Sequence, residues 1–239
     1  MKVEGKNAVR ELILSGKTID KVIISETAHD QTITELINLL KSKRIRFQFV
    51  NPVILNNESV TKHHQGIIAY SSEFEYSSTE EILELAKQKN EDPFILILDG
   101  IEDPHNLGSI IRVCECLGVH GIIIEKTRAC QVNETVIKVS AGAATYVKVA
   151  RVSNINNEIE KLKKLGVWVY ACELGGSSLP KTKLTGPIAI VIGSEGKGTG
   201  KLTLKLCDQI VTIPQFGHVN SLNASVATGI VLYEVSRQR

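Results

Sequence analysis

Ile213-Pro-Gln-Phe-Gly-His-Val-Asn-Ser-Leu-Asn-Ala-Ser225 is the stretch on which the reading of this chain turns. It leaves an apolar strand, Gln209–Ile213, crosses a loop holding Gly217, and enters the last helix, Leu222–Gln238. The helix entry is crowded with Asn220, Ser221, Asn223 and Ser225. An ordinary helix start needs one cap, because a single side-chain oxygen satisfies one or two of the orphan N–H groups. Four small polar residues beside an apolar helix therefore point to a site. Val226, Ala227, Ile230, Val231 and Val235 form the helix face expected to dock on a sheet, which would hold that first turn at a rigid edge. His218 is read as an exposed loop histidine in preference to an acid or base.

Upstream of this stretch, short apolar runs alternate with helical patterns. The strands are expected at Phe94–Leu98, Gly121–Glu125, Tyr146–Ala150, Val167–Cys172, Ile188–Ile192 and Gln209–Ile213, with helices at Leu107–Leu117 and Asn154–Leu165. Nearly continuous apolar strands separated by helices indicate a mostly parallel sheet covered on both faces. Ligands gather at the carboxyl ends of such strands.

Two further loops fall at those ends. Gly193-Ser-Glu-Gly-Lys-Gly-Thr-Gly200 follows Ile188–Ile192. A Walker loop needs Gly-x-x-x-x-Gly-Lys-Ser/Thr, but here Glu195 takes the place of the first glycine and Leu202 that of Ser/Thr. The dinucleotide spacing Gly-x-Gly-x-x-Gly fails too, and Glu195 repels a phosphate. A backbone cradle for an uncharged or cationic ligand, with Glu195 as a fixed anion, fits better. Asp99-Gly-Ile-Glu-Asp-Pro-His-Asn-Leu-Gly-Ser-Ile-Ile-Arg112 follows the first strand of the set. Pro104 and Asn106 mark a helix start, and Leu107, Ile110, Ile111, Cys114 and Leu117 share its apolar face. Gly108 and Arg112 lie one turn apart on another face, where a glycine admits a backbone or a ligand. The plainer alternative is an exposed arginine on a helix capped by Asn106.

The 239-residue chain, 43% hydrophobic and 23% charged, has an ordinary globular composition. No apolar run reaches the length of a membrane span, and no signal peptide is expected. Five cysteines without a Cys-x-x-Cys pair argue against a disulfide framework or a metal site and for a reducing cytoplasm. Residues 1–72 carry ten Lys/Arg against seven Asp/Glu, whereas the rest of the chain is close to neutral. That is a mild lean toward a polyanion. Periodicity there predicts helices over 6–15 and 34–43 and strands at Lys21–Ser25, Phe47–Val50 and Gly66–Tyr70, a small α/β sandwich. Residues 73–90 read as a linker and a helix opened by the capping box Ser78-x-x-Glu81. A second domain then spans 91–239.

The three loops resemble the signature motifs of the SPOUT methyltransferases, in the TrmH/RlmB-type branch. The matching segments are Leu98-Asp-Gly with Asp103-Pro-His-Asn-Leu-Gly-Ser-Ile-Ile-Arg112, then Val191-Ile-Gly-Ser-Glu-Gly196, then Ile213-Pro with Ser221-Leu-Asn-Ala-Ser225. Ser140-Ala-Gly-Ala143 and Tyr233-Glu-Val-Ser-Arg-Gln-Arg239 also match, while Gly5-Lys-Asn-Ala-Val9 and His64-Gln-Gly-Ile-Ile68 resemble the accessory RNA-binding domain. The whole layout is similar to that of the bacterial 23S rRNA guanosine 2′-O-ribose methyltransferases. The resemblance implies a deep trefoil knot, which periodicity does not suggest. It also implies a homodimer with the site near the subunit interface, and S-adenosylmethionine held mainly by backbone at Gly193, Ile213 and Leu222. Asn106, Arg112, Glu195, Ser221 and Asn223 are the implied active-site residues, with Glu195 expected to fix Arg112 or a backbone turn. Thr199, Gln215-Phe216 and Ala224 depart from the family pattern without removing a polar site residue. The rival readings are a tRNA ribose 2′-O-methyltransferase, a non-catalytic RNA-binding or ribosome-assembly factor, and a nucleotide hydrolase. Failure of both phosphate motifs makes the last the weakest.

Overall fold

The computed structural model describes every residue except Met1, Gly16, Lys17, Ser72, Glu73, Val219 and Asn220. Asn220 of the opening stretch, Ser72 of the serine run and Lys17 of the basic set thus lie outside the described residues. The chain forms two compact units, Met1–Glu75 and Tyr76–Arg239.

The first unit contains β1 (Lys2–Glu4), α1 (Lys6–Leu14), β2 (Ile19–Ser25), α2 (Gln31–Ser42), β3 (Phe47–Val50), α3 (Pro52–Glu58) and β4 (Ile67–Ser71). Its sheet runs β1-β4-β2-β3, with β2 and β3 parallel and β4 antiparallel to both β1 and β2. Strand side chains alternate between faces. Val22, Ile24, Ile67 and Ala69 accordingly join Val9, Leu36 and Leu40 in one core, whereas Ile23 and Ile68 join Leu55 of α3 in another. The helix expected from Thr34 starts a turn earlier, because Asp30 accepts a hydrogen bond from the Ile33 amide at 3.2 Å and caps it. β1 and α3 were not expected; three residues of strand carry no period, and the seven residues of α3 run from an apolar start into the polar Asn56-Asn57-Glu58.

Glu4 secures this unit's edge. Its carboxylate accepts from Ser59 Oγ at 2.8 Å, from the Val60 amide at 2.6 Å, and from both the amide and the hydroxyl of Thr61. Those donors, the Thr61 hydroxyl foremost, hold its pKa down at about 2. His64 is structural as well: its Nδ1 accepts from the Gly66 amide, which leaves Nε2–H to donate to Asn56 Oδ1 at 2.8 Å.

The second unit contains α4 (Thr79–Gln88), β5 (Phe94–Asp99), α5 (Pro104–Cys116), β6 (Gly121–Glu125), α6 (Glu134–Val139), β7 (Lys148–Val152), α7 (Ile155–Lys164), β8 (Trp168–Ser178), β9 (Ile188–Gly193), α8 (Lys201–Leu206), β10 (Gln209–Thr212) and α9 (Ala224–Gln238). The capping box at Ser78 is formed in full. Its six strands are all parallel in the order β10-β8-β9-β5-β6-β7. β5, β6 and β9 are almost wholly buried, which is why their sequences read as continuous apolar runs. From β5 the chain proceeds outward through β6 and β7, and β9 lies on the other side of β5. The order therefore reverses between β5 and β9, and the loops leaving these two strands part there.

One expectation about helix faces needs correction, and one is met. The line of α9 that is buried is Ala224, Thr228, Val231, Leu232 and Val235, against α5 and β9. Val226, Ile230 and Tyr233 are exposed. The helix carries two apolar stripes, and the core takes the second. On α5, Gly108 is where another element approaches: a Cβ there would sit 2.7 Å from Val139 Cβ and 3.0 Å from the Val136 carbonyl oxygen of α6.

Candidate active site

Asp99 at the end of β5 stands in register with Gly193 at the end of β9, so the first two loops leave the sheet side by side. α5 starts with Asp103, whose carboxylate accepts from the amides of His105 at 3.2 Å and Asn106 at 3.3 Å, with Pro104 in its first turn. Asp103 rather than Asn106 is thus the cap, and the Asn106 side chain is free for other work. It lies almost wholly buried. Its Nδ2 donates to Glu195 Oε1 at 3.1 Å, and its Oδ1 accepts from Asn223 Nδ2 at 2.9 Å.

Glu195 Oε1 also receives Asn223 Nδ2 at 2.5 Å and the Ala224 amide at 3.2 Å. A carboxylate oxygen with three N–H donors makes charge-assisted bonds, stronger than those between neutral groups. It also sits at the N-terminus of α9, where the helix dipole favours a negative charge. Asn223 divides its amide between two tasks. Its Nδ2 joins the cluster, while its Oδ1 accepts from Ser225 N, Ser225 Oγ and Val226 N and caps α9. One side chain from each of three loops meets in this cluster.

The other proposed residues are not in it. Arg112 is exposed and forms no hydrogen bond or ion pair with any described residue. It stands six residues beyond Asn106, about 9 Å along the axis and roughly 240° around it. Glu195 therefore does not fix Arg112, contrary to the first of its two expected roles; it ties the Asn223–Ala224 turn. Ser221 and Leu222 precede α9 and are exposed. Gly193 ends β9 and Ile213 follows β10, with β8 between those strands.

The glycine loop after β9 is folded onto itself. Gly198 N donates to the Ser194 carbonyl at 2.9 Å, with Gly196 and Gly198 at φ 81° and 65°. A Cβ on Gly193 would lie 2.2 Å from Gly198 C and Thr199 N, so no side chain fits there. Two carboxylates hold the loop: Glu173 Oε2 accepts from Thr199 N and Asp99 Oδ2 from Gly200 N, each at 2.9 Å. With these amides engaged by anions, the loop is unsuited to phosphate, as its sequence implied. Sequence reasoning missed Glu173. It sits where β8 bulges past β10 and runs on to Ser178, with Thr212 Oγ1 bridging the Gly176 amide and the Glu173 carbonyl at 2.6 Å each. A lone glutamate after an apolar strand gives no signal of that role. Beside the cluster a cleft of about 630 Å³ is lined by Asp99, Asn106, Glu125, Arg128, Glu195 and Lys201, among others.

Comparisons with known proteins give the family. Residues 93–233 match the SpoU rRNA Methylase family, and residues 2–77 match the family described as RNA 2′-O ribose methyltransferase substrate binding. The YacO protein of Bacillus subtilis, named provisionally as a TrmH family tRNA/rRNA methyltransferase, is 42% identical over 99% of this chain and 95% of its own length. A similarly named protein of Staphylococcus saprophyticus is also 42% identical, with the same coverage. Among solved structures, the SpoU methyltransferase AviRb of Streptomyces viridochromogenes in complex with AdoMet superposes with a TM-score of 0.62, at 24% identity, over 100% of this chain and 90% of that one. The AdoMet-bound rRNA methyltransferase of Sinorhizobium meliloti gives 0.60, at 23% identity, over 99% and 86%. These two likenesses concern the fold. With its catalytic-unit sequence, its accessory unit and its close relatives all in agreement, the chain belongs to the SpoU methylase family, as an RNA methyltransferase of the TrmH/SpoU type.

Proposed function

We propose that the chain methylates a ribose 2′-hydroxyl in RNA, a guanosine of 23S rRNA, with S-adenosylmethionine as donor. The observation that carries this reading is the convergence of Asn106, Glu195 and Asn223 from three motif loops on one point at the sheet's switch point. The residues suit the donor. The loop at Gly193 engages its amides with carboxylates, Ile213 and Leu222 offer apolar and backbone contacts, and Glu195 is a fixed anion near where a cation would lie. Gly193, Ile213 and Leu222 would hold the donor, which when bound supplies an electrophilic methyl group on a sulfonium.

The chain's own residues supply positioning and charge. Asn106, Glu195 and Asn223 fix the relation of the three loops, and Ser221 stands at the mouth of the third. Arg112, through its guanidinium, orients the ribose or its phosphate and stabilises negative charge developing on the 2′-oxygen. Its separation from the cluster supports a homodimer with the site at the subunit interface, as do the exposed Val226, Ile230 and Tyr233 on α9, which packs against α5. Residues 1–72 would present the RNA, 73–90 would supply a linker and the helix α4, and 91–239 would carry the trefoil knot and the chemistry, in a reducing cytoplasm.

Incubation with labelled donor and either 23S rRNA or tRNA tests this. Label on 23S rRNA is expected. Label confined to tRNA would replace the substrate, and label on neither would leave an RNA-binding or assembly factor.

A further inference from the structure

A second cleft, of about 760 Å³, opens at the β8–β10 side of the catalytic unit, away from the three motif loops in sequence. Its floor is sheet. Trp168 and Tyr170 project from the same face of β8, two residues apart, and Gln209 of β10 pairs in register with Tyr170. Its wall is Ser178 at the end of β8 and the segment after it, with Lys181 and Lys183. Tyr170 is buried and its hydroxyl donates to the Lys183 carbonyl at 3.4 Å, whereas Trp168 is 56% exposed. An indole presents a large flat ring with a polar N–H, a surface on which a base can stack.

The charges in the cleft are of one sign. Lys181 and Lys183 are both exposed and neither is ion-paired with a described residue, and no Asp or Glu is among the lining side chains. The neighbouring Asp208 is already engaged, by Lys163 at 2.8 Å and by the Val169 amide at 2.8 Å. An exposed aromatic with flanking cations, hydroxyls and an amide is the combination that binds single-stranded nucleic acid: a base stacks on the ring and the cations take adjacent phosphates.

We infer that Trp168, Lys181 and Lys183 form a secondary docking surface for a single-stranded segment of the RNA substrate. One unpaired base stacks on the indole, and the two ammonium groups bind the phosphates beside it. This rests on the reading of the chain as an RNA-acting enzyme and adds a contact outside its motif loops.

Trp168 is the sole tryptophan, so its fluorescence reports on this surface in the intact chain. Titration with a single-stranded RNA 15-mer of mixed sequence is expected to quench it. Lys181→Glu/Lys183→Glu should weaken binding at least tenfold and reduce the slope of log affinity against log salt by about 1.4, two phosphates at about 0.7 each. Trp168→Ala, followed by filter binding, should cost about fivefold to a hundredfold. Thermal melts of both variants check that they fold. Unchanged emission at RNA concentrations that saturate filter binding, or wild-type affinity in both folded variants, overturns the proposal. So does emission that changes with protein concentration alone, which would make this face a contact between copies. Methyl transfer without a Trp168 response refutes this surface and spares the proposed activity; a response without methyl transfer does the reverse.

Discussion

Asn106 and Arg112 belong to one helix and one motif, yet the structure treats them oppositely. Asn106 is buried and uses both ends of its amide on Glu195 and Asn223. Arg112, less than two turns on, is exposed and has no polar partner among the described residues. The difference separates architecture from reagent. A side chain whose hydrogen bonds are all satisfied inside the fold is holding loops in place, whereas an unpaired guanidinium at a motif position is available to a substrate. Substituting the first kind should cost stability together with activity, and substituting the second kind activity alone.

The largest effect should come from the reagent. Arg112→Ala is expected to lower methyl transfer about 10²- to 10³-fold, the usual cost of removing one group that stabilises developing charge. Because no described residue pairs with Arg112, the melting temperature should hold, with stability within about 0.5 kcal/mol of wild type. A variant that melts well below wild type would show that Arg112 is structural. Gly193→Ala comes next: its Cβ would strike the Gly198–Thr199 backbone at 2.2 Å, so the loop must shift. Binding of S-adenosylhomocysteine, followed by calorimetry, should weaken at least tenfold.

Glu195→Ala probes the architecture. It leaves three donors without their acceptor, of which those on Asn106 and Ala224 belong to buried residues. An unsatisfied buried donor costs about 1–3 kcal/mol, and water reaching the exposed Glu195 side keeps the loss near 1. The melting temperature should fall by about 2–4 °C, with activity falling in parallel. Asn223→Ala should do likewise and fray the start of α9. If Glu195→Ala abolished transfer while melting like wild type, the cluster would be reagent rather than scaffold.

The smallest effect lies in the other unit. Glu4 is held at about 2 in the folded chain, down from 4.5. A depressed carboxylate contributes stability above its unfolded value and loses it as the pH falls toward its folded one. Thermal melts should therefore show stability declining between pH 4.5 and 2, and Glu4→Gln should reduce that dependence. Methyl-donor binding, a property of the other unit, should be unchanged by the substitution.

Much of this was legible in the sequence, and the failures have physical causes. Phe94–Leu98, Gly121–Glu125 and Ile188–Ile192 were read as buried parallel strands because burial on both faces removes polar residues from a strand. α6 and α8 escaped notice because six residues span fewer than two turns and show no period. The start of α5 was misplaced onto Asn106 because Asp103 and Asn106 are both good caps, and only the fold shows which one has a competing partner. On the last helix Val231 and Val235 were placed on the buried face correctly, but Val226 and Ile230 were added to it because they look more core-like than Thr228, which the core takes instead. Glu173 and the tie between Glu195 and Asn223 depend on loops far apart in sequence meeting at one strand edge, which no local pattern records.

The most direct measurement is nucleoside analysis of 23S rRNA from cells lacking the protein, treated with wild-type chain or Arg112→Ala and labelled donor. The account predicts labelled 2′-O-methylguanosine with wild type and at most about one hundredth as much with the variant. Label on a base rather than a ribose, or equal label from both proteins, would contradict it.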